Sequence, residues 1–184
     1  MKLKFMKEFL LNPRSIGAIT ISSKYLAKKM IEHIDYENCS CIVEYGAGTG
    51  VFTEEIIRLK KEDTIFIVIE LNEKLYNLLK NKFKANTNVV VVNDDVQNLK
   101  NILKENNITE IDHVISGLPF TSLPQNVGEN ILKETKKYLK ETGEFTTFQY
   151  SLIRKDFFKN HFKISNISRE FRNIPPAYVL NLKK

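Results

Sequence analysis

The segment Glu44-Tyr45-Gly46-Ala47-Gly48-Thr49-Gly50 constrains this chain more than any other. It follows the apolar run Cys41-Ile42-Val43 directly and leads into a helical pattern over residues 53–60. Alternate glycines between a strand and a helix permit a tight turn and let a ligand approach the backbone. The helix that follows sets its positive end against that ligand. Glycines spaced in this way also occur in ordinary turns, so the setting has to decide. The next strand pattern, residues 64–70 with Ile65-Phe66-Ile67-Val68-Ile69, ends in Glu70, 20 residues beyond Gly50. An acid in that place can accept hydrogen bonds from both ribose hydroxyls of an adenosine cofactor.

Strand and helix patterns alternate from there on. A helix is predicted over residues 72–83, with Leu75, Leu78, Leu79 and Phe83 on one face, then a strand over 89–93 and a short helix over 99–105. A strand over 111–116 precedes a helix over 125–139 that Gly143 ends, and 144–150 is a fifth strand. Such alternation predicts an α/β fold with a mostly parallel sheet and helices on both faces. In the tail, a helix over 155–161 precedes strand patterns over 162–171 and 178–182, separated by Pro175-Pro176. Those two strands can pair as an antiparallel C-terminal edge, for seven strands in all. No repeat or linker divides the chain. Its 184 residues form one domain: a helical head (1–34), a ligand-binding core (39–150) and C-terminal edge strands (151–184).

Charge is distributed unevenly. Residues 1–30 carry seven basic side chains and one acid, residues 31–150 carry 13 basic and 19 acidic, and residues 151–184 carry eight and two. The formal +6 is therefore a basic head and tail around an acidic middle, which argues against a uniformly basic nucleic-acid coat. Apolar content of 42% is that of a globular protein, and no apolar run reaches the roughly 20 residues needed to span a bilayer. Lysines interrupt the first apolar residues, so a secretory leader is not indicated. Cys39 and Cys41, with no further cysteine, make neither a zinc site nor a disulfide framework and read as reduced thiols of a cytoplasmic protein.

The G-x-G-x-G spacing, with an acid closing the second strand, resembles the class I S-adenosylmethionine-dependent methyltransferases. The resemblance implies a seven-stranded Rossmann-like sheet and S-adenosyl-L-methionine as cofactor, without a metal. Gly46, Gly48 and Gly50 would cradle the cofactor, Glu44 would orient its methionine end and Glu70 would hold the ribose. In Asn93-Asp94-Asp95-Val96, Asp95 with Val96 would face the adenine, though Asp95 could equally be a solvated turn acid. Ser116-Gly117-Leu118-Pro119-Phe120 stands where amino methyltransferases hold the acceptor nitrogen. This implies that Ser116 and Phe120 position the acceptor, with Ser116 also beside the cofactor. The Asn typical of base-methylating enzymes is missing.

Two further stretches narrow the resemblance. Residues 12–23, followed by Leu26-Ala27-Lys28-Lys29-Met30, and the tail Asn173-Ile174-Pro175-Pro176-Ala177 are similar to bacterial phospholipid N-methyltransferases, although Ile21 replaces a usual Pro. Residues 1–11 place Leu3, Met6 and Leu10 on one face of an N-terminal amphipathic helix among Lys2, Lys4 and Lys7. That helix suits either a membrane interface or a cap over the site. Tyr25, Phe120 and Tyr178 are either aromatic walls for a cationic head group or core aromatics, and Arg14 meets a lipid phosphate or solvent. His33, His113 and His161 are scattered and supply no evident base. The leading expectation is an N-methyltransferase of phosphatidylethanolamine, peripheral to the inner face of the membrane and partnered by an anionic lipid surface. RNA adenine N6-methylation and a non-catalytic cofactor-binding or membrane-associated remnant are the alternatives.

Overall fold

The computed structural model describes residues 23–184; the predicted helix over 1–11, Arg14 and the rest of the segment before Ser23 lie outside the described residues. In chain order the elements are α1 (Lys24–Ile31), β1 (Cys41–Tyr45), α2 (Val51–Leu59), β2 (Ile65–Ile69), α3 (Glu73–Phe83) and β3 (Val89–Val92). A 3-10 turn (Val96–Asn98) leads into α4 (Leu99–Glu105), followed by β4 (Ile111–Ser116), α5 (Gln125–Tyr138) and β5 (Leu139–Gln149). The chain closes with α6 (Lys155–Lys159), β6 (Lys163–Glu170) and β7 (Ala177–Lys183).

The strands form one seven-stranded sheet in the order β3-β2-β1-β4-β5-β7-β6. Strands β1 to β5 are parallel, and β7 runs antiparallel between β5 and β6. All five residues of β1 are buried, as expected for a central strand covered on both faces. Alternate residues of the strands feed two cores. Val43, Tyr45 and Phe145 meet Leu99, Ile131 and Phe158 from α4, α5 and α6. Ile42, Phe66 and Val68 meet Met30, Ile56 and Leu79 from α1, α2 and α3.

Capping chemistry fixes where the helices start. Ser23 accepts a hydrogen bond from the Leu26 N–H at 3.1 Å, and Asn72 accepts from Lys74 and Leu75. At the amino edge of the sheet Asp112 accepts from the Ser40 and Cys41 backbone N–H groups and pairs with Lys140 at 2.6 Å, tying β4 to the start of β1.

Two expectations need correction. Gly143 does not end the helix before it: α5 stops at Tyr138, β5 starts at Leu139, and Gly143 lies within β5. A Cβ there would stand 2.8 Å from the Asp112 carbonyl oxygen, so the glycine serves close strand packing where the β4–β5 register shifts. Leu78 is not part of the buried face of α3; Leu79 and Phe83 carry that contact and Leu78 is exposed. Cys39 and Cys41 are free and buried, and loss of water pushes each thiol up to about 12, which leaves them inert.

Candidate active site

The turn after β1 takes the conformation its glycines allow. Gly46, Gly48 and Gly50 have φ of 66°, 59° and 84°, in the left-handed region that favours glycine. Gly46 donates to the Ile69 carbonyl at 2.9 Å and Gly50 to the Ala47 carbonyl at 2.9 Å. A Cβ on Gly48 would meet nothing within 4 Å, so the space above this residue is open. Gly117 answers a different need. A Cβ there would lie 2.7 Å from the Gly46 carbonyl oxygen, so its absence lets the loop after β4 cross the loop after β1. The Gly117 N–H donates to the Tyr45 carbonyl at 2.8 Å and locks that crossing.

Glu44 is completely buried beneath the turn. One carboxylate oxygen, Oε2, accepts from the Thr53 hydroxyl at 2.7 Å. The other, Oε1, has no hydrogen-bond partner among the described residues. Loss of water is the main reason its carboxyl is pushed up to about 8; the Thr53 bond opposes the rise, and the Glu70 charge adds to it. An orphaned acceptor this deep calls for a donor from outside the chain. A cationic amino group satisfies both the oxygen and its charge.

Glu70, at the end of β2, is also buried; its Oε2 accepts from the Gly48 N–H at 2.8 Å and its Oε1 from the Asn72 N–H at 2.8 Å. Burial raises this carboxyl, and these bonds act the other way. The predicted acid is thus wired into the glycine turn itself. Beside it opens a cleft with an empty volume of about 400 Å³, partly open to solvent. Gly46, Glu70, Asp94, Asp95 and Val96 form one side, and Leu118, Leu123, Val127 and Ile131 the apolar side. One side offers acceptors and the other a flat apolar surface, which suits a nucleoside.

The predicted residues separate into those that line this cleft and those that do not. Gly46, Glu70, Asp95 and Val96 line it. Asp95 also caps the 3-10 turn, with both carboxylate oxygens accepting from Gln97, while Asp94 accepts from its neighbour's N–H and from Asn98. Ser116 is fully buried, and its hydroxyl accepts from the Leu118 N–H at 3.2 Å, shaping the loop from behind. Phe120 is fully buried too. Its ring packs 5.2 Å from Phe158 and 6.1 Å from Phe145, so of the two readings the sequence left open it takes the core one.

Tyr25 and Tyr178 sit elsewhere on the same carboxyl edge of the sheet. Tyr178 pairs with Gln149 at the end of β5, two strands from β4, and Arg169 lies 4.9 Å from its ring centre. Tyr25, half exposed, carries Arg172 at 4.1 Å. Each aromatic therefore already has a guanidinium over it. None of the three histidines lines the cleft; His113 lies at the other end of β4, where its Nε2 accepts from the Asp35 N–H at 3.4 Å. Among the described residues no group of His, Cys, Asp or Glu could hold a metal ion.

Several contributors went unpredicted. Thr53 is one, and its position in the first turn of the helix after the glycines was the available signal. The apolar wall is another. Leu123, Val127 and Ile131 read only as the core face of a helix, because nothing local distinguishes a leucine that lines a cleft from one that fills a core. Gln149 is the third: buried at the end of β5, its amide N–H2 has no partner among the described residues, and it shares a strand face with Phe145 and Thr147.

Comparison with known proteins agrees with this geometry. Residues 11–162 match the family model described as ribosomal RNA adenine dimethylase. The chain is 31% identical over 174 residues to an ornithine lipid N-methyltransferase of Singulisphaera acidiphila, covering 94% of this chain and 91% of that protein. It is 29% identical to ribosomal RNA small subunit methyltransferase A of Persephonella marina over 68% of this chain, but spans only 44% of that relative. Among solved structures, TrmN from Thermus thermophilus superposes with a TM-score of 0.72 at 14% identity over 97% of this chain and 53% of that one. Aeropyrum pernix fibrillarin with natively bound S-adenosyl-L-methionine gives 0.67 at 10% identity over 86% of this chain and 72% of that one.

Proposed function

The chain belongs to the ribosomal RNA adenine dimethylase family and is an S-adenosylmethionine-dependent methyltransferase; from that premise we propose that it methylates the amino group of a membrane-lipid head group, phosphatidylethanolamine or another aminolipid. The observation that carries this reading is the extent of similarity. The match to the lipid enzyme runs through 91% of that protein, while the matches to small-subunit and adenine N-6 RNA methyltransferases take in about half of theirs or less. The loop Ser116 to Phe120, without the Asn expected for a base, points the same way.

When bound, S-adenosylmethionine supplies a methyl group on a cationic sulfur that an amine lone pair can attack. The chain's own residues do the rest. Glu44 Oε1 takes the amino group of the methionine end, and the open backbone at Gly48 leaves room for the chain of atoms beside it. Glu70 and Asp95 hold the ribose and adenine ends against the wall of Leu118, Leu123, Val127 and Ile131. The backbone of Ser116 to Pro119, shaped by the Ser116 hydroxyl and by Gly117, presents the acceptor nitrogen. Gln149 offers its spare N–H2 to an oxygen of the same head group.

An ammonium has no lone pair, so the acceptor must first lose a proton. The apolar wall favours the neutral amine by withholding water from the charged form, and the proton leaves to solvent. Holding amine and methyl donor in line accounts for most of the rate that such a displacement needs. The protein works as a peripheral enzyme at the cytoplasmic face of the membrane. Among the described residues no helix is long and apolar enough to cross one.

The test is methyl transfer from labelled cofactor to phosphatidylethanolamine vesicles, ornithine-lipid vesicles and RNA, each offered separately to the purified chain. Label in either lipid is expected. Label in RNA alone would establish the competing reading that the family's description favours.

A further inference from the structure

The apolar side chains that the fold leaves in solvent are not scattered. Seven large ones are exposed among the described residues, and five of them, Tyr25, Tyr150, Ile153, Phe171 and Ile174, gather at one place. Register puts them there. Gln149 pairs with Tyr178 and Arg169 pairs with Tyr178, so the end of β5, the start of β7 and the end of β6 meet at the carboxyl edge of the sheet. Residues 150–155 and 171–176 are the loops that leave those ends. Neighbouring strands are about 4.8 Å apart, so the two loops stand about 10 Å from each other. Ser23 donates its N–H to Asn173 at 2.9 Å, which brings the start of α1, and Tyr25 with it, to the same edge.

These side chains stand out strongly. Ile153 is 89% exposed, Ile174 78% and Phe171 68%. The other two of the seven, Leu59 and Leu78, lie singly on α2 and α3. Charge accompanies the cluster: residues 150–155 and 169–174 hold Arg154, Lys155, Arg169 and Arg172 against one acid, Glu170. The aromatic rings hold the arginines in place, Arg169 at 4.7 Å over Phe171 and Arg172 at 4.1 Å over Tyr25.

We infer that the loops after β5 and between β6 and β7 form a docking surface for an anionic lipid bilayer, with Ile153, Phe171 and Ile174 entering the acyl boundary and Arg154, Arg169 and Arg172 meeting phosphates. Exposed aliphatic tips among guanidinium groups suit that partner, since isoleucines gain from acyl chains and arginines from anionic head groups. They do not suit RNA, which takes flat rings for stacking and has nothing to offer an isoleucine. The inference rests on the aminolipid reading and extends it. The cleft opens on the same sheet edge, so a docked molecule could reach a head group without lifting the lipid from its leaflet.

The test uses the full chain and vesicles of phosphatidylcholine with and without phosphatidylglycerol. The variant Ile153→Ser with Phe171→Ser and Ile174→Ser should lose about tenfold or more in partition onto the anionic vesicles. Leu59→Ser with Leu78→Ser, which removes exposed apolar groups elsewhere, should keep wild-type partition. Equal partition of wild type and triple variant overturns the surface, as does an equal loss in the Leu59/Leu78 control or wild-type protein that ignores anionic vesicles at low salt. Ile153→Asp alone, at a site too exposed to unfold the chain, should weaken binding about threefold or more. Methyl transfer to a monomeric short-chain aminolipid separates the two readings: the triple variant should match wild type there. If even wild type transfers nothing to such a lipid, the substrate reading falls while the partition data still judge the surface.

Discussion

Replacing Glu44 by Gln separates what this carboxyl costs the fold from what it does for the cofactor. In the free protein, burial pushes the carboxyl from its ordinary 4.5 up to about 8. An acid raised by folding contributes stability that is complete below the unfolded value and is lost as pH rises through the folded one. Each pH unit of that interval corresponds to about 1.4 kcal/mol, so the wild-type chain should lose on the order of 4 kcal/mol between pH 4.5 and 8. Gln can still accept from Thr53 and cannot ionise. Glu44→Gln should therefore melt higher than wild type at pH 8 and close to it at pH 4.5. Cofactor binding should move the other way. A cationic amino group at Oε1 requires the carboxylate, so wild type should release about 0.9 proton on binding at pH 7. Its affinity should rise about tenfold per pH unit between pH 6 and 7.5. The Gln variant forfeits a charge-assisted bond, about 1.5–3 kcal/mol, and should bind roughly 10- to 100-fold more weakly at pH 8. Calorimetric titration in two buffers of different ionisation enthalpy reads the proton, and thermal melts read the stability. Proton-neutral binding by wild type, together with unchanged affinity in the variant, would refute the assignment.

Gly48→Ala puts a methyl into open space at φ 59°, so it should cost only about 1 kcal/mol of stability but weaken cofactor binding about tenfold or more in the same titration. Gly117→Ala meets the Gly46 carbonyl oxygen at 2.7 Å with backbone on both sides; urea unfolding should show a loss of about 1–3 kcal/mol. Phe120→Leu should lower stability by about 1–2 kcal/mol while leaving the acceptor KM within about twofold. A large KM change without loss of stability would return its ring to the acceptor site. Burial alone would raise the Asp112 carboxyl, but bonds from Lys140 and Ser40 hold it below its ordinary value. Its contribution is therefore present at neutral pH and lost in acid. Asp112→Asn should cost about 1–3 kcal/mol at pH 7 and nothing below about pH 3, as read by urea titrations at both.

The parallel core was legible in the sequence because its signals are local. Ile65 to Ile69 can only be a buried strand, and three alternate glycines after a strand state their own turn. The C-terminal pairing was legible as well, since Pro175-Pro176 interrupts two strand patterns. Gly143 misled because a glycine after a helical pattern has two uses, and only the neighbouring Asp112 carbonyl, 31 positions earlier, decides between them. The cleft's apolar wall stayed hidden for a related reason. The periodicity of α5 reports that Val127 and Ile131 face inward, and whether inward means core or cofactor depends on the loop from β4 that passes over them. Phe120 shows the converse: the motif marked the right loop, but packing against Phe145 and Phe158 decides where its ring goes.

The uneven charge along the chain acquires a spatial meaning in the fold. The carboxyl edge of the sheet carries two unlike halves. On the β1-β2-β3 side stand Glu44, Glu70, Asp94 and Asp95, acids drawn from the acidic middle of the sequence. On the β5-β7-β6 side stand Arg154, Arg169 and Arg172 from the basic tail, joined by the start of α1 through Ser23 and Asn173. A parallel sheet gathers its functional loops at one edge whatever their order in sequence. Segments of opposite charge are thus brought side by side with the loop of Ser116 to Pro119 between them. The acid half is matched to a cation such as the methyl donor, and the basic half to the phosphates of an acceptor's surroundings. In such an arrangement salt should weaken the two partners differently. Cofactor held by the buried Glu44 is shielded from counterions, whereas contacts made by the exposed arginines are screened over about 8 Å at physiological ionic strength. Raising salt should therefore release an anionic partner well before it affects the cofactor, and equal sensitivity of the two would mean that the halves do not act separately.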